Sequence, residues 1–209
     1  MVKQIVRELK VHAPFTFFGT LTGIIFMAVC YRLPQKAAYD VFYVLHPVHV
    51  LLSALVTASM YQLHTCARIS ARCIGGKCNF LVLLILGYAG SVGIATLSDS
   101  VIPYLGEFML RMPRRELHLG FIEKWWLVNP LAFLGIAIAY FRPTTKLSHA
   151  VHVLISTWAS LFHIIMAMHG RLTAGAYAVV ALFLFFAVWI PCCVSDIVFP
   201  LLFVKKNKT

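Results

Sequence analysis

Apolar residues run almost unbroken through six stretches of the chain, at about 13–31, 41–62, 80–106, 124–141, 148–168 and 174–204, while charged residues gather in the segments between them. Most of these stretches approach or exceed the roughly 20 residues that an α-helix needs to cross a bilayer. The pattern predicts an all-α integral membrane protein with six transmembrane helices. The first stretch is of full spanning length and has no small-residue cleavage site behind a short core, so it reads as a retained helix and not as a signal peptide.

Six spans place both termini on one face, here called side A. Eleven of the 18 Lys and Arg residues then fall on side A, among them Lys3, Arg68, Arg142 and Lys205, and seven on side B, among them Arg32, Arg111 and Lys124. The acids Asp40, Glu107, Glu116 and Glu123 all fall on side B. An excess of Lys and Arg marks the cytoplasmic face, so both termini are expected there.

Three short motifs occur twice, in the same order. HPVHVLLS at 46–53 and HAVHVLIS at 149–156 share six of eight positions, and LSDSVIPYL at 97–105 and VSDIVFPLL at 194–202 share five of nine. YRLP at 31–34 and YFRP at 140–143 end the first and fourth stretches alike. Motifs in register imply duplication of a three-helix unit, residues 1–109 and 115–209. Because three is odd, the second copy must be inverted, which is the 3+3 inverted-topology repeat that places ligand sites between the repeats.

That topology decides which polar side chains can meet. His46, His49 and Asp99 lie at similar depth near side B, and by inversion His149, His152 and Asp196 lie near side A. His118 precedes the fourth helix on side B and His12 precedes the first on side A, so each is placed to add a fourth ligand. Histidines three apart share one helix face, and a carboxylate from a neighbouring helix completes a His, His, Asp set. Such a set suits a divalent transition metal, Zn²⁺, Fe²⁺ or Mn²⁺ foremost, better than Ca²⁺ or Cu⁺. Pro103 and Pro200 stand four residues after the aspartates and lack the N–H that would bond their carbonyls, so those carbonyls are expected to face the ion as well. His163 and His169 have no counterpart at the repeat offset and read as packing or interface residues.

Composition narrows the function classes. With 61% hydrophobic and 12% charged residues and a mean hydropathy of +0.86, a chain of this length has too little interior to bury its apolar surface in water. The net charge of +11 sits in short loops, where topology and anionic headgroups account for it, so nucleic acid is not the expected partner. The expected partners are the lipid bilayer and a metal ion, and a homo-oligomer is left open. The leading reading is a transporter or channel for a divalent transition metal.

Two alternatives stand beside it. An integral-membrane metalloenzyme is one: in residue types alone, His and Asp with Ser nearby, the set resembles the zinc site of membrane hydrolases such as the adiponectin-receptor and ceramidase group. Those proteins have seven spans and a differently spaced HxxxH motif. A b-type haem protein is the other, and it would have to pair a histidine of one helix with a histidine of another. Cys66, Cys73 and Cys78 with His64 crowd one loop expected to be reduced, and Cys192 and Cys193 read as packing residues that could add soft ligands near Asp196.

Overall fold

The structure is a computed structural model and describes residues 2–65, 80–143, 146–194 and 199. The described residues are almost all helical, and among them there is no strand. The long helices are α1 (Val2–Val29), α2 (Gln35–Thr65), α3 (Phe80–Met109), α4 (Trp125–Phe141), α5 (Lys146–Ala167) and α6 (Ala174–Cys193), with a short helical turn at Gly120–Glu123 before α4. Three of them are long and apolar enough to cross a membrane, over Gln35–Leu63, Phe80–Met109 and Ala174–Cys192. Ala13–Val29, Trp125–Phe141 and Val151–Ala167 are shorter apolar helices.

Local chemistry sets the helix ends. Pro34 opens α2, its carbonyl accepting from the Ala38 N–H at 3.1 Å, because proline has no N–H to lose in a first turn. Thr173 caps α6, its hydroxyl oxygen accepting from the Ala176 N–H. After α3, Arg111 takes a left-handed conformation with φ 51, and the Met112 N–H reaches back to the Glu107 carbonyl at 3.0 Å. That six-to-one bond is a usual way to close a helix.

α3 is not uniform. It widens into π turns at Ala89–Gly93 and Leu97–Val101, the second directly ahead of Pro103. A proline removes one rung of the ladder, and the wider turn is one way for the helix to absorb that loss. Beside this turn the Ser98 carbonyl accepts from the Ser160 hydroxyl at 3.0 Å.

α2 lies at the centre of the bundle, packed along α5 on one side and α4 on the other, while α1 packs on α5 and α6. α3 packs on α2, α4, α5 and α6. One apolar cluster, with Met27, Phe42, Leu161 and Leu184 fully buried, joins α1, α2, α5 and α6. A second, with Leu83, Leu86 and Ile136, joins α2, α3 and α4. Close approach depends on small residues, as is usual between membrane helices: at Gly135 a Cβ would collide with the Leu51 carbonyl oxygen of α2.

Polarity runs opposite to that of a water-soluble globule. His46, His49, Ser98, Asp99, His152, Ser156 and Thr157 are buried, whereas Phe17, Phe18, Leu81, Trp125, Phe141 and Leu182 are exposed. An exposed apolar coat around a polar interior is what a hydrocarbon solvent selects.

Candidate functional site

The centre of the site is Asp99, which the second π turn of α3 presents to α2 and α5. His46 and His49 lie on one face of α2 with Pro47 between them, and both donate through Nδ1 to Asp99 Oδ2, at 2.9 and 2.7 Å. Oδ1 accepts from the Ser98 and Ser156 hydroxyls, each at 2.8 Å. All four side-chain groups and the carboxylate are buried. Four donors leave the carboxylate little capacity for a metal of its own, and they fix both imidazoles as Nδ1–H tautomers. Asp99 is therefore built as an orienting group, the role a carboxylate commonly plays behind a metal-binding histidine.

His49 also meets His152 of α5, their rings lying face to face with centroids 5.7 Å apart and planes at 11°. Cys192 of α6 completes the group: His49, His152 and Cys192 each offer a ligand atom, and those atoms lie within 4.8 Å of one another, all buried. The Cys192 thiol stands 3.9 Å from the Ser156 hydroxyl, so Ser156 joins the thiol to the Asp99 carboxylate. Ligand atoms around a tetrahedral Zn²⁺ are roughly 3.3–3.8 Å apart, given bonds of about 2.0–2.3 Å. The present arrangement, with separations of up to 4.8 Å, is looser than that. Two imidazoles and a thiolate favour Zn²⁺ over harder ions.

The sequence-predicted residues thus divide. His46, His49 and Asp99 come together, and His152 meets His49. His118 lies elsewhere. The side chains of His12 and His149 fall outside the described residues, as do Asp196 and the Cys66, Cys73 and Cys78 loop. Cys192 is the residue the sequence undervalued, because its neighbourhood was reckoned from Asp196 and not from His49.

Toward the end of the bundle where α2 begins and α3 ends, a second buried group appears. His163 of α5 bonds through Nδ1 to Glu107 Oε1 of α3 at 2.8 Å, both side chains at most 1% exposed. The His118 ring stands edge-on to His163 with centroids 5.5 Å apart. His118 Nδ1 is 3.2 Å from Glu123 Oε2, and the same carboxylate accepts from the Tyr43 hydroxyl and from the Leu119 N–H. Burial alone raises the Glu123 carboxyl, but these partners outweigh it and hold the group below its usual range. The Phe42 ring separates the two groups, stacked on His46 at 5.2 Å and edge-on to His163 at 5.4 Å. The backbone of Gly120 also lies against His46, where a Cβ would come within 2.6 Å of the ring.

His163 was read as a packing residue because it lacks a partner at the repeat offset. The available signal was depth: α3 and α5 both end on side B in the six-span topology, so Glu107 and His163 approach the same level. No protein-family model, curated protein or solved structure matches the chain.

Proposed function

We propose that the chain is a six-span carrier for a divalent transition metal, Zn²⁺ first, built as two inverted three-helix repeats with both termini cytoplasmic, and that His49, His152 and Cys192 receive the ion. The observation that carries this reading is the convergence of those three side chains from α2, α5 and α6 on one buried point, with Asp99 fixing the His49 ring. Zn²⁺ bound to a thiolate beside the Asp99 carboxylate would sit in a site of no net charge, which a low-dielectric interior favours.

Helix packing supports the repeat. Exchanging α1 with α4, α2 with α5 and α3 with α6 turns the α1–α5 and α1–α6 contacts into the α4–α2 and α4–α3 contacts, and leaves α2–α5 in place. An axis passing between α2 and α5 brings His49 and His152, equivalent in the two octapeptides, to the same point. The three shorter apolar helices have lengths at the lower end of the spanning range. A haem iron requires nitrogens from opposite sides, whereas the His49 and His152 rings lie face to face. The Ser98 and Ser156 hydroxyls donate into Asp99, and neither is activated by an imidazole as a hydrolase nucleophile would be.

Uptake of Zn²⁺ into proteoliposomes tests the proposal. Uptake should be faster at about pH 7.5 than at about pH 5.5, because imidazole ligates only when neutral, and it should be lost in Cys192→Ala and His152→Ala proteins that still elute as folded. Uptake of no divalent ion by the wild type, or undiminished uptake by both variants, would remove the reading.

A further inference from the structure

Glu107 and His163 are a buried titratable pair that the metal centre leaves unused. Their single bond occupies one oxygen of the carboxylate and one nitrogen of the ring. The remaining polar atoms, Glu107 Oε2 and His163 Nε2, are buried and meet no hydrogen-bond partner among the described residues. A half-satisfied carboxylate in a membrane interior is expensive and is usually retained for a function. One proton shared by the pair makes it electrically neutral whichever atom carries it, and loss of that proton leaves a single buried negative charge.

A route joins the pair to the surface. The His118 ring is edge-on to His163 at 5.5 Å, a gap that one ring rotation or one intervening water closes. His118 in turn stands 3.2 Å from Glu123 and 3.8 Å from Glu116, whose side chain is 66% exposed. Inward the route stops at Phe42, which carries no exchangeable proton and fills the space between His163 and His46. Other titratable groups at this level are Tyr43, bonded to Glu123, Tyr39, edge-on to the His118 ring at 5.5 Å, His46 beyond Phe42, and Lys124, whose ammonium lies over the Tyr39 and Tyr43 rings. α1 and α6 contribute the apolar Met27, Val180 and Leu184 to the cluster there.

We propose that Glu107 and His163 form a proton-binding site, loaded and emptied through His118, and that binding of the metal is exchanged for release of its proton to the same face. The exchange rests on the transport reading; the proton site does not. A proton passes from water at Glu116 and Glu123 to His118 and then to the pair, and it leaves by the reverse path. Only N–H and O–H bonds form and break. The Gly120–Glu123 turn supplies the link, since Gly120 lies on the His46 ring while Glu123 holds His118 and Tyr43. A His46 ring that shifts when the centre fills must move the turn that positions His118.

The test uses the full solubilised chain in weakly buffered solution with a pH-sensitive dye, mixed with Zn²⁺. Wild type should release one more proton per bound Zn²⁺ than Glu107→Gln or His163→Gln, while Zn²⁺ affinity changes by less than about twofold, as expected for residues outside the ligand set. His118→Gln should leave the count unchanged and slow the release at least about tenfold. Equal proton counts in wild type and both variants that fold would overturn the coupling, and an unchanged rate in His118→Gln would overturn the route. If wild type binds no Zn²⁺, the transport reading fails, and the proton site is then decided without metal by infrared spectroscopy as a function of pH. That titration should show a carboxyl band absent from Glu107→Gln and shifted in midpoint by His163→Gln. A wild-type spectrum in which neither a carboxyl band of Glu107 nor an imidazolium band of His163 changes with pH overturns the proton site itself.

Discussion

Two buried carboxylates of α3, Asp99 and Glu107, are treated in opposite ways. Asp99 receives four side-chain hydrogen bonds, two on each oxygen, whereas Glu107 receives one and leaves Oε2 bare. Burial is alike, at 0% and 1% exposure. A carboxylate whose acceptor sites are filled by fixed donors holds geometry: it locks two ring tautomers and leaves no lone pair idle. One left half-filled holds capacity instead. A single helix thus carries one carboxylate held by four donors and one held by a single ring nitrogen.

The sharpest way to break this comparison is Asp99→Ala. Removing the carboxylate strands four donors in a dry interior, and breaking a buried network of this kind costs about 3–5 kcal/mol. Thermal unfolding in detergent should show a loss of that size, with Zn²⁺ binding abolished. Glu107→Gln, which keeps an acceptor for His163, should lower stability far less. If the two variants were equally destabilised, the contrast between support and capacity would be wrong.

Gly120→Ala comes next. Its methyl would lie 2.6 Å from the His46 ring, so the turn or the ring must yield, and overpacking of this type costs about 1–3 kcal/mol. Proton release on Zn²⁺ binding should become uncoupled while the number of bound Zn²⁺ is unchanged. Ser156→Ala probes the outer support more gently. It deletes one donor to Asp99 and the hydroxyl beside Cys192, and loss of such a partner lowers metal affinity by about 10–100-fold. Competition with a chelator of known affinity would measure it, and an unchanged affinity would show that Ser156 only packs.

Much of this arrangement was legible in the chain, for reasons that particular residues make plain. The six apolar runs gave the long helices, because helix length and hydrocarbon thickness constrain one another. The i and i+3 spacing of His46 and His49 gave their common face and, with the depth of Asp99, their shared partner. The joining of His152 to His49 was missed although the information was present. The second histidine of each octapeptide lies three residues, about 4.5 Å, further along its helix than the first, so the inverted arrangement proposed above would bring these two rings toward each other. Other features left no local mark. Nothing in LSDSV announces a π turn beyond the proline that follows, and the Glu107–His163 pair breaks the repeat that served as the filter for function.

The smallest effect concerns Glu123, at the mouth of the half-filled region. Its carboxyl is held below the usual value of 4.5; burial pulls the other way, and the hydrogen bonds from Tyr43 and His118 prevail. A group depressed in the folded state contributes stability that is fully present above its unfolded range and is lost as pH falls through its folded value. Melting temperature should therefore hold steady from neutral pH down to about 4.5 on this account and decline below it. In Glu123→Gln the amide does not titrate, so the same acid limb should be flatter, with a slightly lower plateau at neutral pH. Asp99 lies behind Phe42 and is untouched by the change, so Zn²⁺ affinity at neutral pH should stay as in wild type while proton release slows, because His118 has lost the partner that aims its ring. An acid limb of equal steepness in both proteins would mean that Glu123 does not hold His118 in the way its geometry indicates, and the entrance to the Glu107 site would have to be sought at another side chain.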